Sequence, residues 1–484
     1  MESIKSVTNN RYREQLLEIS MNNMASAVRD WLSIDVLVPS TYLFHMVRPS
    51  RRLVRSIFFK GMRFRRESAG WSQERKTEWI YRRLQHTVRR AYLETSYYRE
   101  LYDRIGFDPS LNFSFEDFSK LPVLGREDVH QAGQRLVTNR IPLEKLHRDA
   151  TGGSSGTPTE IWMGPEETGW RESSGESFLR RLGMPPGTRT GYFWGHHLDL
   201  EGKDSRRARI YRFINNSKMF NCFRLSPDVF ENYHQEFERW RPACIVAYAG
   251  ALGHFAEYVL DRGYRPGYPT KCLITGAEKL LPHHRQLIEK AFGKPVHERY
   301  GSRDIGYIAY QMDPANSYDF DIDWADLLVE PETDDPESSI LITKLHADGM
   351  PMIRYRIDDV GRFPEHSRPG HPTFKLHEVV GRVTDGIWLH DGRWVHGIEF
   401  PHLIKDHPVR EFMIHQRQDY SVQVMIVPKS DFGEQNFHRI EDVVRANLPG
   451  LPLTIDLVEQ VPRTMANKWR PVVSDVRLNK KGDN

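Results

Sequence analysis

The chain has 484 residues, which is too long for one hydrophobic core and predicts roughly two to four domains. Its 68 Lys and Arg residues nearly balance its 65 Asp and Glu residues, so the net charge of +3 excludes a strongly basic nucleic-acid coat. Cys222, Cys244 and Cys272 stand in no CxxC or Cys/His spacing, which argues against a disulfide framework or a zinc site. The start of the sequence lacks an apolar signal region, and no uncharged apolar run reaches about eighteen residues. These features predict a cytoplasmic protein of enzyme size.

The first 70 residues include a basic segment at 51–66, in which arginines and lysines alternate with apolar residues and no acid interrupts the run. This pattern is typical of an amphipathic helix, and two positions for that helix are open. It could lie on an anionic membrane surface. Its apolar stripe could instead pack on the main domain while its arginines stay in water, which is the position we favour. Peripheral membrane contact through 51–66 is the alternative.

Two helical signals follow before the most informative stretch. Between residues 71 and 101, apolar residues recur at helical spacing, which predicts a long amphipathic helix that ends in the segment 95–98. The apolar positions are Ile80, Leu84, Val88 and Tyr92. The segment 121–128 then indicates extended chain followed by the start of a helix.

The segment 151–160, TGGSSGTPTE, holds three glycines and five hydroxyl residues within ten positions. Glycine backbone can turn its N–H groups inward, and hydroxyl side chains add O–H donors, so the composition suits a cradle for a polyphosphate. A Walker A loop would continue Gly-Lys-Ser/Thr, whereas here Gly156 is followed by Thr157 and Pro158. The pattern therefore excludes a P-loop NTPase, and a cation must come from elsewhere. An ordinary flexible surface loop has the same composition.

Strand-like and helix-like segments alternate after this cradle. A helix is predicted at 166–182, which would place the cradle at a connection from strand to helix. Buried strands are predicted at 191–194, 245–248 and 271–275, with a helix at 251–262. Such alternation indicates an α/β sheet that collects ligands at the carboxyl ends of its strands.

Three polar motifs stand where those strand ends are expected. The TGAE motif at 275–278 follows an apolar strand and would let a flat ring approach the backbone. The RYGSRD motif at 299–304 offers an aromatic face for stacking and a carboxylate for Mg²⁺, although an ordinary strand-turn-helix junction reads the same way. The segment 352–359 ends an apparent strand with two acids, which could accept the hydroxyls of a ribose or cap the next element.

The composition changes after residue 360. Proline and glycine mark a loop near 361–372, and the segment 380–386 resembles a link between domains. Beyond it, strand-like and helix-like segments predict a small α+β unit with its own core. These are strands at 387–389, 411–415, 421–427 and 453–458, and helices at 398–405 and 434–447. The segment 461–471 is a basic loop beyond that core, or a solvated chain end.

In this order, the motifs resemble those of the adenylate-forming superfamily, in the branch of phenylacetate-CoA ligase and the CapK-like proteins. The TGGSSGTPT cradle is the most specific element, and the later motifs TGAE, RYGSRD, RYRIDD, GRVTD and PRTMANKWR follow in the family's order. The similarity extends from about residue 72 to 475. It implies an α/β fold with a large N-terminal domain and a small, mobile α+β C-terminal domain. The expected divisions are an N-terminal helical extension at 1–70, an adenylation core at 71–382 and a lid at 383–484.

The resemblance also implies roles for individual residues. Lys468 would reach the α-phosphate and the substrate carboxylate, and Asp304 would bind Mg²⁺ where the family usually has glutamate. Asp359 would bind the ribose and Tyr300 would stack on the adenine. The remaining expected ATP and AMP contacts are Thr151, Gly152, Gly153, Ser154, Ser155, Gly156, Thr157, Gly276, Ala277, Glu278, Gly301, Ser302 and Arg382. Thr384 would be the hinge, although the family usually has aspartate or lysine there, and Asn467 replaces the usual glycine before the lysine.

The family places the pocket for the acid between about residues 190 and 250. Candidates there are Trp194, His196, His197, Tyr248 and Gly250. The aromatic side chains suit an aryl or bulky acid, and adjacent histidines are often only surface or core residues.

The implied function is an ATP- and Mg²⁺-dependent ligase that activates a carboxylic acid as acyl-AMP and passes the acyl group to an acceptor. The acceptor could be the thiol of CoA, or an amine or hydroxyl in a polysaccharide-related role as in the CapK-like branch. Two alternatives stay open: transfer of AMP to a cofactor-like hydroxyl, and a non-catalytic nucleotide-binding scaffold. The expected partners are small molecules and not nucleic acid, and the sequence does not indicate an oligomeric state.

Overall fold

The computed structural model describes residues 52–150, 160–194, 212–213, 215–222, 226–382, 386–390, 394–396, 399–404, 407–462 and 470–476. Its α-helices are α1 (Arg52–Glu67), α2 (Gln73–Glu94), α3 (Ser96–Ile105), α4 (Phe115–Ser119), α5 (Arg126–Ala132), α6 (Pro165–Arg181), α7 (Pro227–Trp240), α8 (Ala249–Asp261), α9 (Pro282–Phe292), α10 (Glu399–Ile404) and α11 (Glu434–Asn447). Short 3₁₀ turns occur at Gly133–Leu136 and Leu143–Lys145. None of the helices in these ranges has an apolar stretch that would cross a bilayer.

The strands of the same ranges are short and fall into several sheets. They are β1 (His147–Ala150), β2 (Glu160–Met163), β3 (Thr190–Phe193), β4 (Ser217–Phe220), β5 (Cys244–Tyr248), β6 (Cys272–Gly276), β7 (Val296–Ser302), β8 (Gly306–Tyr310), β9 (Phe320–Ile322), β10 (Leu327–Pro331), β11 (Glu337–Lys344), β12 (Tyr355–Arg362), β13 (Lys375–Leu376), β14 (Glu378–Arg382), β15 (Gly386–Trp388), β16 (Trp394–His396), β17 (Val409–Gln416), β18 (Val422–Pro428), β19 (Leu453–Leu457) and β20 (Val472–Ser474).

The largest sheet has eight strands in the order β13-β9-β8-β7-β6-β5-β3-β4. Strands β4, β3, β5, β6 and β7 run parallel, whereas β8, β9 and β13 extend the sheet in antiparallel fashion. The parallel strands β3, β5 and β6 are buried along their whole length, as expected of strands covered on both faces. The predicted α/β sheet is therefore confirmed, with its parallel strands at the predicted segments.

A second, antiparallel sheet has the order β10-β11-β12-β14. It shares a hydrophobic core with α2 and α3, in which Ile80, Leu84 and Val88 are fully buried. The predicted long helix thus buries its predicted face, but it ends at Glu94 and a second helix begins at Ser96. Thr95 divides them because its extended backbone ends α2 while its hydroxyl accepts a hydrogen bond from the N–H of Tyr98 and so caps α3.

Helix α1 contains the basic segment of the first 70 residues, and it packs closely on α6. Gly61 and Gly169 make this approach possible, because a Cβ at Gly61 would lie 2.3 Å from Oγ of Ser173. The expectation that the apolar stripe packs on the main domain is confirmed, and Phe58 is fully buried. The expectation that the arginines stay in water is wrong for Arg65, whose guanidinium lies 2.7 Å from the carboxylate of Asp323 in the interior.

The small C-terminal domain has a four-stranded sheet in the order β19-β18-β17-β20, with its own core against α10 and α11. Its predicted strands and helices form within about two residues of their predicted limits. Strand β14 still belongs to the antiparallel sheet of the large domain, whereas β15 pairs with β16. The strands on either side of 383–385 therefore belong to different sheets, and Thr384, the expected hinge, lies outside the described residues.

Candidate active site

The cradle is flanked by a β-hairpin. Strands β1 and β2 pair antiparallel, with Ala150 opposite Glu160, so residues 151–159 connect the two strands of the hairpin. The expected connection from strand to helix is therefore wrong, since α6 begins only after β2. The four-residue strands have no apolar alternation that would have revealed them. The cradle itself, with Thr151, Gly152, Gly153, Ser154, Ser155, Gly156 and Thr157, lies outside the described residues.

The RYGSRD motif lies close to the end of β1 that precedes the cradle. Nη1 of Arg303 is 3.8 Å from the carboxylate of Asp149, which stands two residues before the cradle. Arg171 on α6 donates a hydrogen bond to the carbonyl oxygen of Arg303 over 2.9 Å. The motif is part of a hairpin of β7 and β8 and not of a strand-turn-helix junction, with Gly301 and Ser302 at the end of β7. A Cβ at Gly301 would lie 2.4 Å from the carbonyl oxygen of Gly306, so this turn requires glycine.

The carboxylates of RYGSRD and RYRIDD each accept a hydrogen bond from a tyrosine of the other motif. The hydroxyl of Tyr300 donates to Oδ2 of Asp359 over 2.7 Å. The hydroxyl of Tyr355 donates to Oδ2 of Asp304 over 2.9 Å. Both pairs join β7 and its turn to β12. The structure thus joins the residues that the resemblance assigns to adenine and ribose, and it links the residue assigned to the metal to the same strand, β12.

Burial and then the nearby Asp304 carboxylate raise the pKa of Tyr355 above its usual range, so its hydroxyl stays protonated. A protonated hydroxyl can only help to orient Asp304 as a hydrogen-bond donor. Asp304 itself is 3% exposed. Its carboxylate is therefore held in one orientation within a nearly closed environment.

The two acids of RYRIDD lie inside β12 and not at its end. Strand β12 continues to Arg362, so the expectation that the acids end a strand or cap the next element is wrong. Asp358 has φ of +64°, in the left-handed region that few residues other than glycine adopt. The pairing of β12 with β11 shifts register next to this residue, between Ser339 and Leu341 of β11, and resumes at Val360. Ala277 in the TGAE motif also has a positive φ, of +66°, and such backbone conformations concentrate at ligand sites.

An arginine that the sequence did not indicate lies next to these acids. Leu124 exchanges backbone hydrogen bonds with β12, accepting from Arg356 and donating to Arg354. This pairing places Arg126, the first residue of α5, with its Nε 3.4 Å from the carboxylate of Asp358. The guanidinium of Arg126 thus places a positive charge beside the acids of the RYRIDD motif.

Three residues of the expected adenine and acid pockets form a row at the carboxyl ends of parallel strands. The register pairs Phe193 with Ala247 and Tyr248 with Gly276, so Trp194, Tyr248 and Gly276 are neighbours across β3, β5 and β6. The rings of Trp194 and Tyr248 lie 4.2 Å apart between centroids and are tilted by 32°. Gly276 leaves bare backbone beside them. Of the other three pocket candidates, Gly250 lies in α8, and His196 and His197 lie outside the described residues.

Glu278 holds the start of α8 in place. Its Oε2 accepts a hydrogen bond of 3.0 Å from the backbone N–H of Gly250, a position that suits a carboxylate at a helix N-terminus. The next residue, Lys279, contacts β14. Its Nζ lies 2.7 Å from the carboxylate of Glu378 and 3.2 Å from the carbonyl oxygen of Val380. The TGAE motif is therefore tied both to α8 and to β14, which ends at Arg382.

A metal at this site would depend on Asp304 and the nucleotide. The described residues contain no group of three or more His, Cys, Asp or Glu side chains arranged to hold a metal ion. Magnesium is usually bound through one or two carboxylates plus substrate phosphates and water, so a single oriented carboxylate beside a phosphate cradle fits it. The carboxylate of Asp304 therefore suits a Mg²⁺ ion that is also bound by phosphate oxygens and water.

Lys468 lies outside the described residues, but both ends of its segment are placed. Val461 is buried against Met413 and Met425 on the small domain's sheet. Strand β20 begins at Val472 and pairs in parallel with Ile414 on β17. The segment that contains Lys468 therefore starts and ends on the same sheet.

Sequence reasoning missed Arg126, Lys279 and Tyr355. Arg126 stands inside the segment 121–128, Tyr355 stands inside the RYRIDD motif, and Lys279 directly follows TGAE. Their positions in the sequence gave a signal, but their contacts span between 51 and 232 residues along the chain, and no local pattern encodes those contacts.

No protein-family model matches the chain. Among curated proteins, it is 18% identical over 369 residues to the protein CapK of Staphylococcus aureus, covering 75% of this chain and 81% of CapK. It is 23% identical over 318 residues to the phenylacetate-coenzyme A ligase of Pseudomonas putida, covering 63% of this chain and 70% of the ligase.

Among solved structures, 2-hydroxyisobutyryl-CoA ligase in the postadenylation state, in complex with 2-HIB-AMP, superposes with a TM-score of 0.64 at 20% identity, covering 84% of this chain and 90% of that one. The same enzyme with 2-HIB-AMP and CoA in the thioesterification state gives a TM-score of 0.52 over the same 84% of this chain and 91% of that one, at 19% identity. The sequence similarities and the shared fold agree with the resemblance of the motifs to the adenylate-forming superfamily, in the branch of the phenylacetate-CoA ligases and CapK-like proteins.

Proposed function

We propose that this protein is an ATP-dependent ligase that activates a carboxylic acid as an acyl-AMP and transfers the acyl group to an acceptor. The observation that carries the proposal is the pairing of Tyr300 with Asp359 and of Tyr355 with Asp304. These contacts join an aromatic residue and a carboxylate to β12, which carries the second carboxylate, and the neighbouring Arg303 lies 3.8 Å from Asp149 at the end of β1. Relatives named CapK and phenylacetate-coenzyme A ligase, and the complexes of 2-hydroxyisobutyryl-CoA ligase with 2-HIB-AMP and CoA, support the same class of chemistry.

In the first half-reaction, an oxygen of the substrate carboxylate forms a bond to the α-phosphorus of ATP, and the bond from that phosphorus to the bridging oxygen breaks. Pyrophosphate leaves, and the mixed anhydride acyl-AMP remains. Two anions must approach each other for this step, so positive charge has to stabilise the developing charge. Lys468 would supply an ammonium, and the cradle would hold the leaving group in line.

The nucleotide would be held by the residues of the two paired motifs. Asp359, whose carboxylate accepts the Tyr300 hydroxyl on one oxygen, would accept the ribose hydroxyls with its remaining lone pairs. With its hydroxyl fixed in this way, the ring of Tyr300 would offer a face to the adenine, opposite the bare backbone of Gly276. Magnesium, held by Asp304 and the phosphates, would supply further charge stabilisation.

In the second half-reaction, a nucleophile forms a bond to the acyl carbon and AMP leaves. The acyl portion would lie against Trp194 and Tyr248, whose rings suit a flat or bulky acid. We propose the thiol of CoA as the acceptor, with an amine or hydroxyl as the second candidate because CapK is among the relatives. The small domain, from about residue 383, would turn about Thr384 between the two half-reactions.

The test is carboxylate-dependent exchange of labelled pyrophosphate into ATP, screened over carboxylic acids. Replacement Lys468→Ala should lower the exchange rate by about 100-fold or more, because removing one charge-stabilising donor typically costs that much, while ATP binding measured by calorimetry persists. Lys375→Ala, an exposed lysine paired with Asp319, is the matched control and should exchange at the wild-type rate. Near-normal exchange by Lys468→Ala would contradict the proposal.

The acceptor is identified by mass spectrometry of the products formed with and without CoA. An acyl-CoA identifies the thiol, and an amide or ester identifies the other acceptors. An AMP adduct of a non-acid acceptor would replace the proposal with nucleotidyl transfer.

A further inference from the structure

Helix α8 of the large domain meets the small domain through two ion pairs. Nε2 of His254 lies 2.9 Å from Oε1 of Glu411 on β17. One helical turn further along, Glu257 accepts a hydrogen bond of 2.9 Å from Nζ of Lys429, the residue after β18. We name His254, Glu257, Glu411 and Lys429 the interdomain cluster. Because His254 and Glu257 are three residues apart on one face of α8, a single helix surface holds two strands of the small domain.

His254 is the centre of this cluster. Its Nδ1 lies 4.0 Å from Glu257, so the ring stands between two carboxylates of opposite domains. Helix α9 packs behind it with His283 and His284, and the rings of His254 and His284 are 5.9 Å apart between centroids. Burial lowers the pKa of His284 well below its usual value, so that ring is neutral and does not compete for the carboxylates. The charges that face His254 are therefore Glu257, Glu411 and, beyond them, Lys429.

The contact of His254 with Glu411 is connected to the segment of Lys468 through the sheet of the small domain. Glu411 lies on β17, and β17 pairs with β20, which begins four residues after Lys468. The residue before the segment, Val461, packs on Met413 of the same strand β17. Holding β17 against α8 thus fixes both ends of the segment that contains Lys468.

We infer that His254, through its contact with Glu411, is a positioning residue that favours the adenylation arrangement of the small domain. This inference rests on the proposed function. The structure superposes on the postadenylation state of 2-hydroxyisobutyryl-CoA ligase with a TM-score of 0.64 and on its thioesterification state with 0.52. This difference agrees with an adenylation arrangement of the small domain in this protein. Rotation of the small domain for acyl transfer has to break the interdomain cluster, so the cluster affects the two half-reactions differently.

The cluster also makes the arrangement depend on pH. Burial by itself would lower the pKa of His254, but Glu257 and Glu411 outweigh it and the pKa is raised. The attraction is therefore complete below the ordinary histidine value and is lost as pH rises through the raised pKa. The adenylation arrangement should weaken on the alkaline side.

The first test separates the half-reactions in Glu411→Gln, which keeps the shape of the side chain and removes its charge. Pyrophosphate exchange should fall about fivefold or more, with an unchanged KM for ATP, while acyl transfer from isolated acyl-AMP is unchanged or faster. The loss of exchange that the wild type shows as pH rises through the raised pKa of His254 should also flatten. Equal loss in both half-reactions, or exchange within twofold of the wild type with the same pH profile, would overturn the inference.

A charge swap distinguishes positioning from simple damage. Glu257→Lys and Lys429→Glu should each slow exchange, and the double variant should recover part of it because the ion pair is restored with its charges exchanged, while the carboxylate of Glu257 beside His254 is lost. The surface pair Lys218 and Glu236, 2.8 Å apart within the large domain, is the matched control, and its swaps should leave exchange unchanged. Failure of the double variant to recover would also overturn the inference.

A distance measurement keeps the inference separate from the ligase proposal. Cys222, Cys244 and Cys272 are buried, so cysteines introduced at Lys290 and Arg439 can carry nitroxide labels for pulsed electron resonance. Glu411→Gln should broaden the distance distribution between the domains relative to the wild type, and an unchanged distribution would contradict the cluster's role. If no carboxylic acid supports pyrophosphate exchange by the wild type, the proposed function fails. The distance measurement still tests the role of the interdomain cluster in that case.

Discussion

The hydroxyl of Tyr355 should determine how well Asp304 binds magnesium, and Tyr355→Phe isolates that hydroxyl. The ring is completely buried, so phenylalanine fits the same space, and the change removes only the 2.9 Å hydrogen bond to Oδ2 of Asp304. A hydrogen bond to a charged group contributes about 1.5–3 kcal/mol, and its loss leaves a nearly buried carboxylate with one donor fewer. The free energy of unfolding should fall by about that amount.

The functional consequence should appear as a greater need for magnesium. Residues that orient a metal-binding side chain typically change metal affinity or activity by about 10–100-fold when replaced. We therefore expect the half-saturating Mg²⁺ concentration for pyrophosphate exchange to rise about tenfold, with most of the rate recovered at high Mg²⁺. The measurement is a Mg²⁺ titration of the exchange rate at fixed ATP.

Tyr98→Phe is the matched control for this variant. Tyr98 is also buried, and its hydroxyl accepts from the N–H of Ile353 and donates to the carbonyl oxygen of Pro351. Its loss should lower the free energy of unfolding by about 1 kcal/mol without moving the Mg²⁺ titration. If Tyr355→Phe shows the same Mg²⁺ titration as Tyr98→Phe and the wild type, Asp304 does not bind the metal that supports exchange.

Two further predictions concern the expected pockets. Among the described residues, the buried indole Nε1 of Trp194 has no hydrogen-bond partner. Trp194→Phe should therefore reduce kcat/KM about 5–100-fold for acids that carry an acceptor reaching this nitrogen, and should leave their unsubstituted analogues unchanged. Equal effects on both kinds of acid would contradict this prediction. Lys279→Met should raise the KM for ATP several-fold, because it releases the TGAE motif from β14. The free energy of unfolding should fall by less than about 1 kcal/mol, because Arg362 still pairs with Glu378 at 3.3 Å. An unchanged KM would show that the tether does not hold the adenine segment.

Several parts of the fold were readable because a local pattern encodes them. Strands β3, β5 and β6 are buried on both faces, and such strands appear in the sequence as continuous apolar runs. Helix α11 matches its predicted limits, 434–447, because helical periodicity and its glycine boundary are both local. Apart from the apparent strand that ends at 352–359, the antiparallel strands β8 to β14 and the hairpin of β1 and β2 were not predicted, since most of them are short and strand formation depends strongly on tertiary context.

The site divides in the same way. Composition and motif order predicted that residues 151–159, 275–278, 299–304 and 354–359 belong to one nucleotide site, because glycine, hydroxyl and carboxylate groups in these patterns have a local chemical meaning. The tertiary structure alone decided that Tyr355 orients Asp304, that Arg126 lies beside Asp358 and that His254 meets Glu411 across the domains. These contacts join residues 51, 232 and 157 positions apart. A sequence specifies such contacts only through the packing of whole sheets and helices, because hydrogen bonds and ion pairs act over a few ångströms in space and do not depend on separation along the chain.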